Sequence, residues 1–160
     1  MARDTCFPPL TASHTRVLLL GSLPGQASLA ANRYYAHPRN QFWRLLGDVL
    51  NIPLTTMTYD ERVEHLLAAG VGLWDVVGEA ERKGSLDADL RRVRYNDLHQ
   101  LVADLPHLRA VGFNGQTAAR AGAVLAEQTV ALLSLPSSSP AYTLPYDNKL
   151  AQWREIARYL

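Results

Sequence analysis

Four short apolar runs are distributed along the chain, and each is bounded by glycine or polar turn residues. They cover residues 16–20, 71–77, 108–113 and 129–135. Continuous apolar runs of this length are typical of strands that are buried on both faces of a sheet. The pattern therefore predicts four buried strands, and it places the first of them, which ends at Gly21, in the centre of the sheet.

Between these runs, apolar residues recur at helical spacing. One stripe repeats at i, i+3, i+4, i+7 and i+8 and predicts a core-facing helix; it consists of Phe42, Leu45, Leu46, Val49 and Leu50. A second helix is predicted after Thr58, because Thr58 and Glu61 form a capping box and Gly70 can adopt the left-handed conformation that ends a helix. Further helices are predicted within residues 96–105, 115–125 and 147–160.

Strands that alternate with helices favour a parallel sheet, because parallel neighbours need long connections and helical crossovers supply them. The predicted fold class is α/β: a three-layer α/β/α sandwich around a short, mainly parallel four-stranded sheet. We expect residues 1–160 to form a single domain, since 160 residues with 48% apolar content suffice for one core. Ligands of such sheets bind beyond the carboxyl ends of the strands, so the chemistry is expected just after residues 20, 74, 113 and 135.

The composition excludes several classes of protein. A single cysteine, Cys6, allows no internal disulfide and no thiolate cluster, which indicates a reducing, cytoplasmic compartment. No apolar stretch approaches the roughly 20 residues that cross a bilayer, so we expect a soluble protein without a membrane partner. No spacing of histidine, cysteine and carboxylate residues indicates a metal site, and we expect no cofactor.

Basic residues cluster twice, although the formal net charge of +1 gives no sign of a nucleic-acid partner. The first cluster consists of Arg33, Arg39 and Arg44. The second consists of Arg82, Lys83, Arg91, Arg92 and Arg94. Either cluster could bind phosphates, and the second is equally well interpreted as the solvated face of a helix.

A glycine-containing loop, Gly21 to Ser28, follows the first predicted strand. Gly21 and Gly25 permit a close backbone approach, and the loop amides could converge on an anion. The loop lacks the lysine of a phosphate-binding P-loop and the glycine spacing of a dinucleotide-binding fold. Taken alone, it is a weak indicator of function.

The segment from Tyr34 to Trp43 concentrates aromatic, basic and amide side chains immediately before the amphipathic helix. Aromatic faces stack nucleobases and arginines hold phosphates, a combination expected where extruded nucleotides are recognised. The alternative is structural: Phe42 and Trp43 anchor their helix in the core, and Asn40 caps it. We accept that alternative for Phe42 and, in part, for Trp43.

Five motifs together carry a resemblance to a known family. In chain order they are GSLPGQASLAANRYYAHPRNQFW, GLWDVV, GSLDADL, GFNGQTA and LPSSSPA. This set resembles that of hypoxanthine-DNA glycosylases and, more distantly, of mismatch-specific uracil glycosylases, both within the uracil-DNA glycosylase superfamily. The resemblance spans residues 17 to 153. It implies an enzyme that flips a nucleotide into the carboxyl edge of the sheet and cleaves its N-glycosidic bond, leaving an abasic site.

The resemblance also implies roles for individual residues. Tyr35 matches the aromatic residue on which the superfamily stacks the base, and Asn40 matches the amide that the hypoxanthine branch uses for the hydrolytic water. Because an amide is no general base, Asn40 is expected to orient and polarise that water. Leu23 stands where many members place an aspartate or asparagine, and its apolar side chain resembles the hypoxanthine branch.

The predicted base-binding residues are Gly21, Ser22, Leu23, Pro24, Gly25, Tyr35, Asp75 and Asn114. Within this set, the backbone amides of residues 22–25 are expected to donate to the departing base. For Asp75, helix capping or a structural hydrogen bond is an equally good interpretation.

The predicted DNA-binding residues are His37, Arg39, Pro136, Ser137, Ser138, Ser139, Pro140 and Tyr142. The proline- and serine-rich stretch resembles the loop that the superfamily presses into the minor groove. His37 is expected either to contact a phosphate or to fix its own loop. A wedge role for Tyr142 between bases is a further hypothesis.

The sequence thus predicts a monomeric, metal-free glycosylase that removes a deaminated base, hypoxanthine ahead of uracil or xanthine, from double-stranded DNA. The absence of a motif lysine argues against a lyase step, and so the enzyme is expected to be monofunctional. Two alternatives stay open: a uracil or thymine mismatch glycosylase, and a DNA-binding module that has lost catalysis. Leu23 and the nearly neutral charge motivate the second alternative, whereas Asn40 favours an enzyme.

Overall fold

The four apolar runs lie side by side in one parallel sheet of the computed structural model, which describes residues 3–160. The strands in chain order are β1 (Arg3–Thr5), β2 (Val17–Gly21), β3 (Val71–Asp75), β4 (Val77–Glu81), β5 (Arg91–Tyr95), β6 (Ala110–Asn114) and β7 (Ala131–Leu135). The parallel sheet has the order β3-β2-β6-β7. In this register Gly21 pairs with Asp75 and Asn114 pairs with Leu135, so the strand ends that carry the motifs share one edge.

Six α-helices connect or flank these strands in the described part of the chain. They are α1 (Gln26–Ala31), α2 (Phe42–Leu50), α3 (Tyr59–Ala68), α4 (Leu98–Ala103), α5 (Gln116–Ala121) and α6 (Tyr146–Trp153). The capping box of α3 is confirmed, since the Thr58 hydroxyl accepts from the Glu61 amide and the Glu61 carboxylate accepts from the Thr58 amide. Gly70 has the expected left-handed φ of 88°. Within residues 3–160, no helix combines the length and apolarity needed to cross a bilayer.

Two apolar cores lie on opposite faces of the parallel sheet. Along β2, Val17 and Leu19 face a core built with α2, α3 and α6, whereas Leu18 and Leu20 face a core built with α4 and α5. This alternation follows from the two-residue period of a strand, and every residue of β2 is buried. The predicted three-layer α/β/α fold is confirmed.

A second sheet, which the sequence pattern did not predict, packs beside the second core. It is antiparallel with the order β1-β4-β5, and β4 and β5 form a hairpin where only helical connections were expected. The prediction of a single strand over residues 71–77 is therefore wrong. Val76 and Val77 are both buried where the chain passes from one sheet to the other. Because burial continues across the junction, the apolar pattern has no break there.

The hairpin also corrects the interpretation of the second basic cluster as a solvated helix face. Its residues lie on β5 and in the turn that joins β4 to β5. Arg82 is buried, and its guanidinium forms an ion pair of 3.1 Å with Asp4. Asp4 belongs to β1, the strand that pairs with β4, so this contact lies within the second sheet.

Candidate active site

A cavity of about 480 Å³ opens at the carboxyl edge of the parallel sheet. It is lined by every residue predicted to bind the base and by Asn40. Six of the predicted DNA-binding residues also line it: His37, Ser137, Ser138, Ser139, Pro140 and Tyr142. Arg39 and Pro136 lie outside this cavity. Its volume is within the range of roughly 300–1,000 Å³ that is usual for small-molecule sites.

Tyr35 forms an aromatic wall of the cavity. Its ring stacks on Phe42 with centroids 3.9 Å apart and planes within 11°. Phe42 is fully buried at the start of α2, so it supports one face of the Tyr35 ring. The backbone of Tyr35 has φ of 54°, which is uncommon for a residue other than glycine and marks a strained, well-supported position.

Gly21 allows the Tyr35 hydroxyl and the Asp75 carboxylate to approach the end of β2. A Cβ at this position would lie 2.8 Å from the Tyr35 hydroxyl and 2.7 Å from Asp75 Oδ1. No real Cβ tolerates such distances, so a glycine is required for these two groups to lie where they do. The Tyr35 hydroxyl is buried and makes no hydrogen bond within residues 3–160.

Asp75 is a buried carboxyl group at the end of β3. Its Oδ2 has no hydrogen-bond partner among residues 3–160. Burial and, to a smaller extent, the negative charge of Asp87 raise the pKa of Asp75 to about 7, while Arg82 opposes the shift. A carboxyl group in this state can carry a proton near neutral pH and donate it in a hydrogen bond. The same burial, together with the charge of Asp75, raises the pKa of Tyr35.

Asn40 lies just before α2, and its side chain has a structural contact as well as a place in the cavity wall. Asn40 Oδ1 accepts a hydrogen bond of 2.9 Å from the amide of Phe42. The N-cap of α2 is Gln41 and not Asn40, so the predicted capping role is wrong, although Asn40 does fix the turn that leads into the helix. Because a carbonyl oxygen has two lone pairs, this contact fixes the side chain and leaves capacity to bind one water.

The loop after β2 presents backbone donors to the cavity. The amides of Ser22, Leu23 and Gly25 donate no hydrogen bond to another residue within 3–160. Leu23 is buried beside them, in contact with the second core. Free amides next to an apolar side chain form a site that stabilises developing negative charge without supplying a base.

The serine-rich loop after β7 is anchored from several sides. Asn114 makes two hydrogen bonds of 2.9 Å with Ser138, one to its amide and one to its hydroxyl. The Ser138 carbonyl accepts from the amide of Gln41, just before α2. Trp153 in α6 donates to the Pro136 carbonyl at 2.9 Å. Asn114 thus braces this loop, and its contact with a base stays a prediction.

Lys149 and Tyr142 lie at the end of the same loop. Lys149 is buried, and its ammonium donates to the Ser139 carbonyl at 3.3 Å and lies 5.4 Å from the centre of the Tyr142 ring. Burial lowers the pKa of Lys149. Tyr142 itself is exposed, as a wedge would need to be, but its role stays a prediction. No sequence signal distinguishes Lys149, which lies in an otherwise ordinary helix.

The turn of the β4–β5 hairpin forms a wall of the cavity that sequence reasoning missed. Ser22 donates to Asp87 at 2.6 Å, and the Gln26 amide donates to the Ser85 hydroxyl at 2.9 Å. Ser85 and Asp87 both line the cavity. They belong to the motif GSLDADL, from which no side chain had been assigned to the site.

Taken together, the cavity contains an aromatic wall, an anchored amide, a buried carboxyl group and free backbone donors. This set suits the binding of a flat heterocycle that acquires negative charge. No group of histidine, cysteine and carboxylate side chains in the described residues could hold a metal ion.

Comparisons with known proteins identify the family. The model of the uracil DNA glycosylase superfamily matches residues 8–160. A hypoxanthine DNA glycosylase of Methanosarcina barkeri is 35% identical over 93% of this chain and 94% of its own length. A second hypoxanthine DNA glycosylase, from Methanosarcina acetivorans, is 34% identical over 96% of this chain and 97% of its own length. A solution NMR structure of a candidate uracil DNA glycosylase from Methanosarcina acetivorans aligns with a TM-score of 0.89 at 33% identity, covering 98% of each chain.

Proposed function

The chain belongs to the uracil DNA glycosylase superfamily, and from this premise we propose that it removes hypoxanthine from double-stranded DNA. It is a DNA glycosylase, a hydrolase that acts on N-glycosyl bonds. The observation that carries the choice of reaction is the convergence of Tyr35, Asn40 and Asp75 on one cavity. The choice of hypoxanthine rests on the two similar proteins of that name, and the proposed acting species is a single-domain monomer.

In the proposed reaction, the nucleotide leaves the duplex and its base enters the cavity against the Tyr35 ring. Water held by Asn40 bonds to C1′ of the deoxyribose as the bond between C1′ and N9 breaks. The electron pair of that bond leaves with the base, and the proton from the water goes to solvent or the base. Asn40 orients this water rather than ionising it, because an amide does not accept a proton at neutral pH.

The departing purine is the proposed partner of the free amides and of Asp75. Negative charge spreads onto the ring nitrogens and O6 of hypoxanthine as the bond breaks, so donors aimed at those atoms stabilise the transition state. The amides of Ser22 and Leu23 and the protonated carboxyl of Asp75 are such donors. Their support is geometric: all three residues line the cavity, and Asp75 Oδ2 has no partner within residues 3–160.

An alkaline strand-cleavage assay tests the proposal. Purified protein is incubated with labelled duplexes that carry one hypoxanthine, uracil or xanthine. Asn40→Ala is expected to slow excision by about 100-fold or more, because misplacing a reactant by about 1 Å can cost that much. Asn148→Ala is the matched control, because Asn148 is an exposed asparagine in α6 away from the cavity.

Each outcome has a definite meaning. Cleavage of the hypoxanthine duplex that is lost in Asn40→Ala supports the proposal. Preferential cleavage of the uracil duplex identifies a uracil or mismatch glycosylase instead. If folded wild-type protein cleaves none of the three, the fold is a DNA-binding module and the enzymatic proposal is wrong.

Two variants of Asp75 test its role in base binding. Asp75→Asn keeps a hydrogen-bond donor and is expected to retain most of the excision rate, with less dependence on pH around neutrality. Asp75→Ala removes the donor and is expected to lose about 100-fold or more, since one transition-state donor contributes on the order of 3 kcal/mol. Equal rates for both variants and wild type would assign Asp75 a purely structural role.

A further inference from the structure

A second depression, next to the base cavity, is lined by arginines. We call it the arginine groove, and it is formed by Arg33, Arg39, Arg44 and Arg62 around Trp43 and Tyr59. Its volume is about 810 Å³. The two depressions are neighbours, since Tyr34, Tyr35, His37 and Asn40 line both of them.

The guanidiniums of the arginine groove have no carboxylate beside them. No aspartate or glutamate lines it, and none of its four guanidiniums takes part in an ion pair within residues 3–160. Uncompensated guanidiniums side by side repel one another, so the arrangement favours a polyanion as the occupant.

The four arginines differ in how firmly the protein holds them. Arg62 donates to the carbonyls of Leu54 and Thr55, and Arg44 stacks over the ring of Tyr146 at 3.6 Å. Arg33 lies 5.5 Å from the centre of the Tyr59 ring, and the guanidinium of Arg39 makes no hydrogen bond to residues 3–160. Arg33 and Arg39 therefore retain their donors for a ligand, and a guanidinium suits a phosphate because it can donate two parallel hydrogen bonds.

His37 lies on the boundary between the groove and the cavity. Its Nδ1 accepts a hydrogen bond of 3.1 Å from the amide of Arg39, so in the neutral ring the proton is on Nε2. This leaves one donor at the point where a chain passing from the cavity into the groove would cross. Because His37 lines both depressions, this donor lies between the place proposed for the base and the four arginines.

We propose that the arginine groove binds the phosphates of the lesion-carrying DNA strand beside the extruded nucleotide, with Arg33 and Arg39 as the phosphate contacts. The inference rests on the proposed function, because it takes the cavity as the place of the extruded base. It goes further in giving the DNA strand a path across α2 and α3 in addition to the serine-rich loop, and in adding Arg33 to the predicted contacts His37 and Arg39.

The test compares two double variants that remove the same charge. Arg33→Ala with Arg39→Ala removes the two proposed phosphate contacts of the groove. Arg92→Ala with Arg94→Ala removes two exposed arginines of the hairpin, which are paired with Glu81 and Glu79. Binding to a duplex with one hypoxanthine is measured by fluorescence anisotropy from about 50 to about 200 mM salt, in the Asn40→Ala background. Thermal unfolding by circular dichroism verifies that both variants are folded.

The groove variant is expected to lose affinity about tenfold or more, and the slope of log K against log salt should fall by about two, one for each arginine removed. The hairpin variant should keep the wild-type slope. Equal slopes for the two variants would overturn the proposal.

A second measurement identifies the strand. Neutral methylphosphonate linkages are placed on either side of the lesion in the lesion strand or, separately, at the facing positions of the other strand. Neutral linkages in the lesion strand should weaken DNA binding by the protein with an intact groove. They should have little further effect on DNA binding by the groove variant, because the linkages and the substitutions remove the same interaction. An effect confined to the other strand would overturn the assignment.

The two proposals can fail independently. Anisotropy does not require turnover, so absence of excision by wild-type protein would overturn the proposed function while leaving the salt dependence to be measured. Conversely, normal excision with an unchanged slope in the groove variant would overturn only the groove.

Discussion

Two clusters of arginines that look alike in the sequence have opposite surroundings in the structure. The four arginines of the groove face no carboxylate, whereas three arginines of the hairpin, Arg82, Arg92 and Arg94, are paired with acids of β1 and β4. The arginines of the groove can bind a ligand, whereas the paired arginines of the hairpin make contacts within the protein. Local density of basic residues therefore indicates a binding surface only when the acidic partners, which come from distant parts of the chain, are also known.

The largest effect is expected at Asp75, where burial first and the charge of Asp87 second, against Arg82, raise the pKa to about 7, above the value of about 4 for an unfolded chain. Between these two values the folded protein holds a proton that the unfolded chain has released. Rising pH therefore favours unfolding in this window, by up to about 1.4 kcal/mol per pH unit, and has no such effect above pH 7 or below pH 4.

Asp75→Asn replaces the carboxyl group that titrates. The free energy of unfolding of the variant should therefore not decrease between pH 4 and 7 in the way expected for the wild type. Urea unfolding at a series of pH values measures it. The charged and titratable groups near Asp75 are Tyr35 and Tyr34 on the motif loop, Cys6 after β1, Arg82 after β4 and Asp87 in the hairpin turn. Identical pH dependence in variant and wild type would mean that Asp75 is ionised throughout.

The next largest effect is expected for the buried ion pair of the hairpin. Arg82→Met should lower the free energy of unfolding by about 2–3 kcal/mol, because Asp4 loses its partner and the Pro24 carbonyl loses a donor at 2.5 Å. Urea unfolding should show a lower midpoint with an unchanged slope. Arg94→Met is the matched control, and if it destabilises as much as Arg82→Met, the two arginines do not differ as the structure indicates.

A smaller effect is expected from the acid in the hairpin turn. Asp87→Asn removes a negative charge that raises the pKa of Asp75, so the midpoint of the pH dependence described above should move to lower pH. The same change weakens the hydrogen bond with Ser22. A midpoint that stays in place would show that burial alone, without Asp87, accounts for the shift.

The smallest effect on folding is expected in the arginine groove. Arg39→Ala should change the free energy of unfolding by no more than about 0.5 kcal/mol, as for most exposed substitutions without partners. Its effect should be seen in DNA binding instead. A destabilisation comparable to that of Arg82→Met would mean that Arg39 supports the fold and would remove the contrast between the two clusters.

The parts of the fold that were predicted correctly depend on local patterns. The stripe beginning at Phe42 and the capping box at Thr58 specify α2 and α3 within a few residues of chain, and the buried run ending at Gly21 specifies β2. The hairpin was missed because β4 and β5 alternate weakly between buried and exposed positions, and the exposed β5 is rich in arginine. Such a strand has no apolar run by which to recognise it.

The candidate site shows the same division. Short-range patterns were enough to specify the α/β fold and the order of motifs at the strand ends, because hydrophobic period, capping and glycine placement act over short distances along the chain. Only the packing of distant segments buries Asp75 near Asp87 and brings Asn114 to Ser138. The same packing gives Arg82 an acidic partner, whereas the guanidinium of Arg39 makes no hydrogen bond to residues 3–160. These facts depend on contacts such as that of Arg82 with Asp4, 78 positions apart, and the energy of a charge depends on such neighbours and on its distance from water.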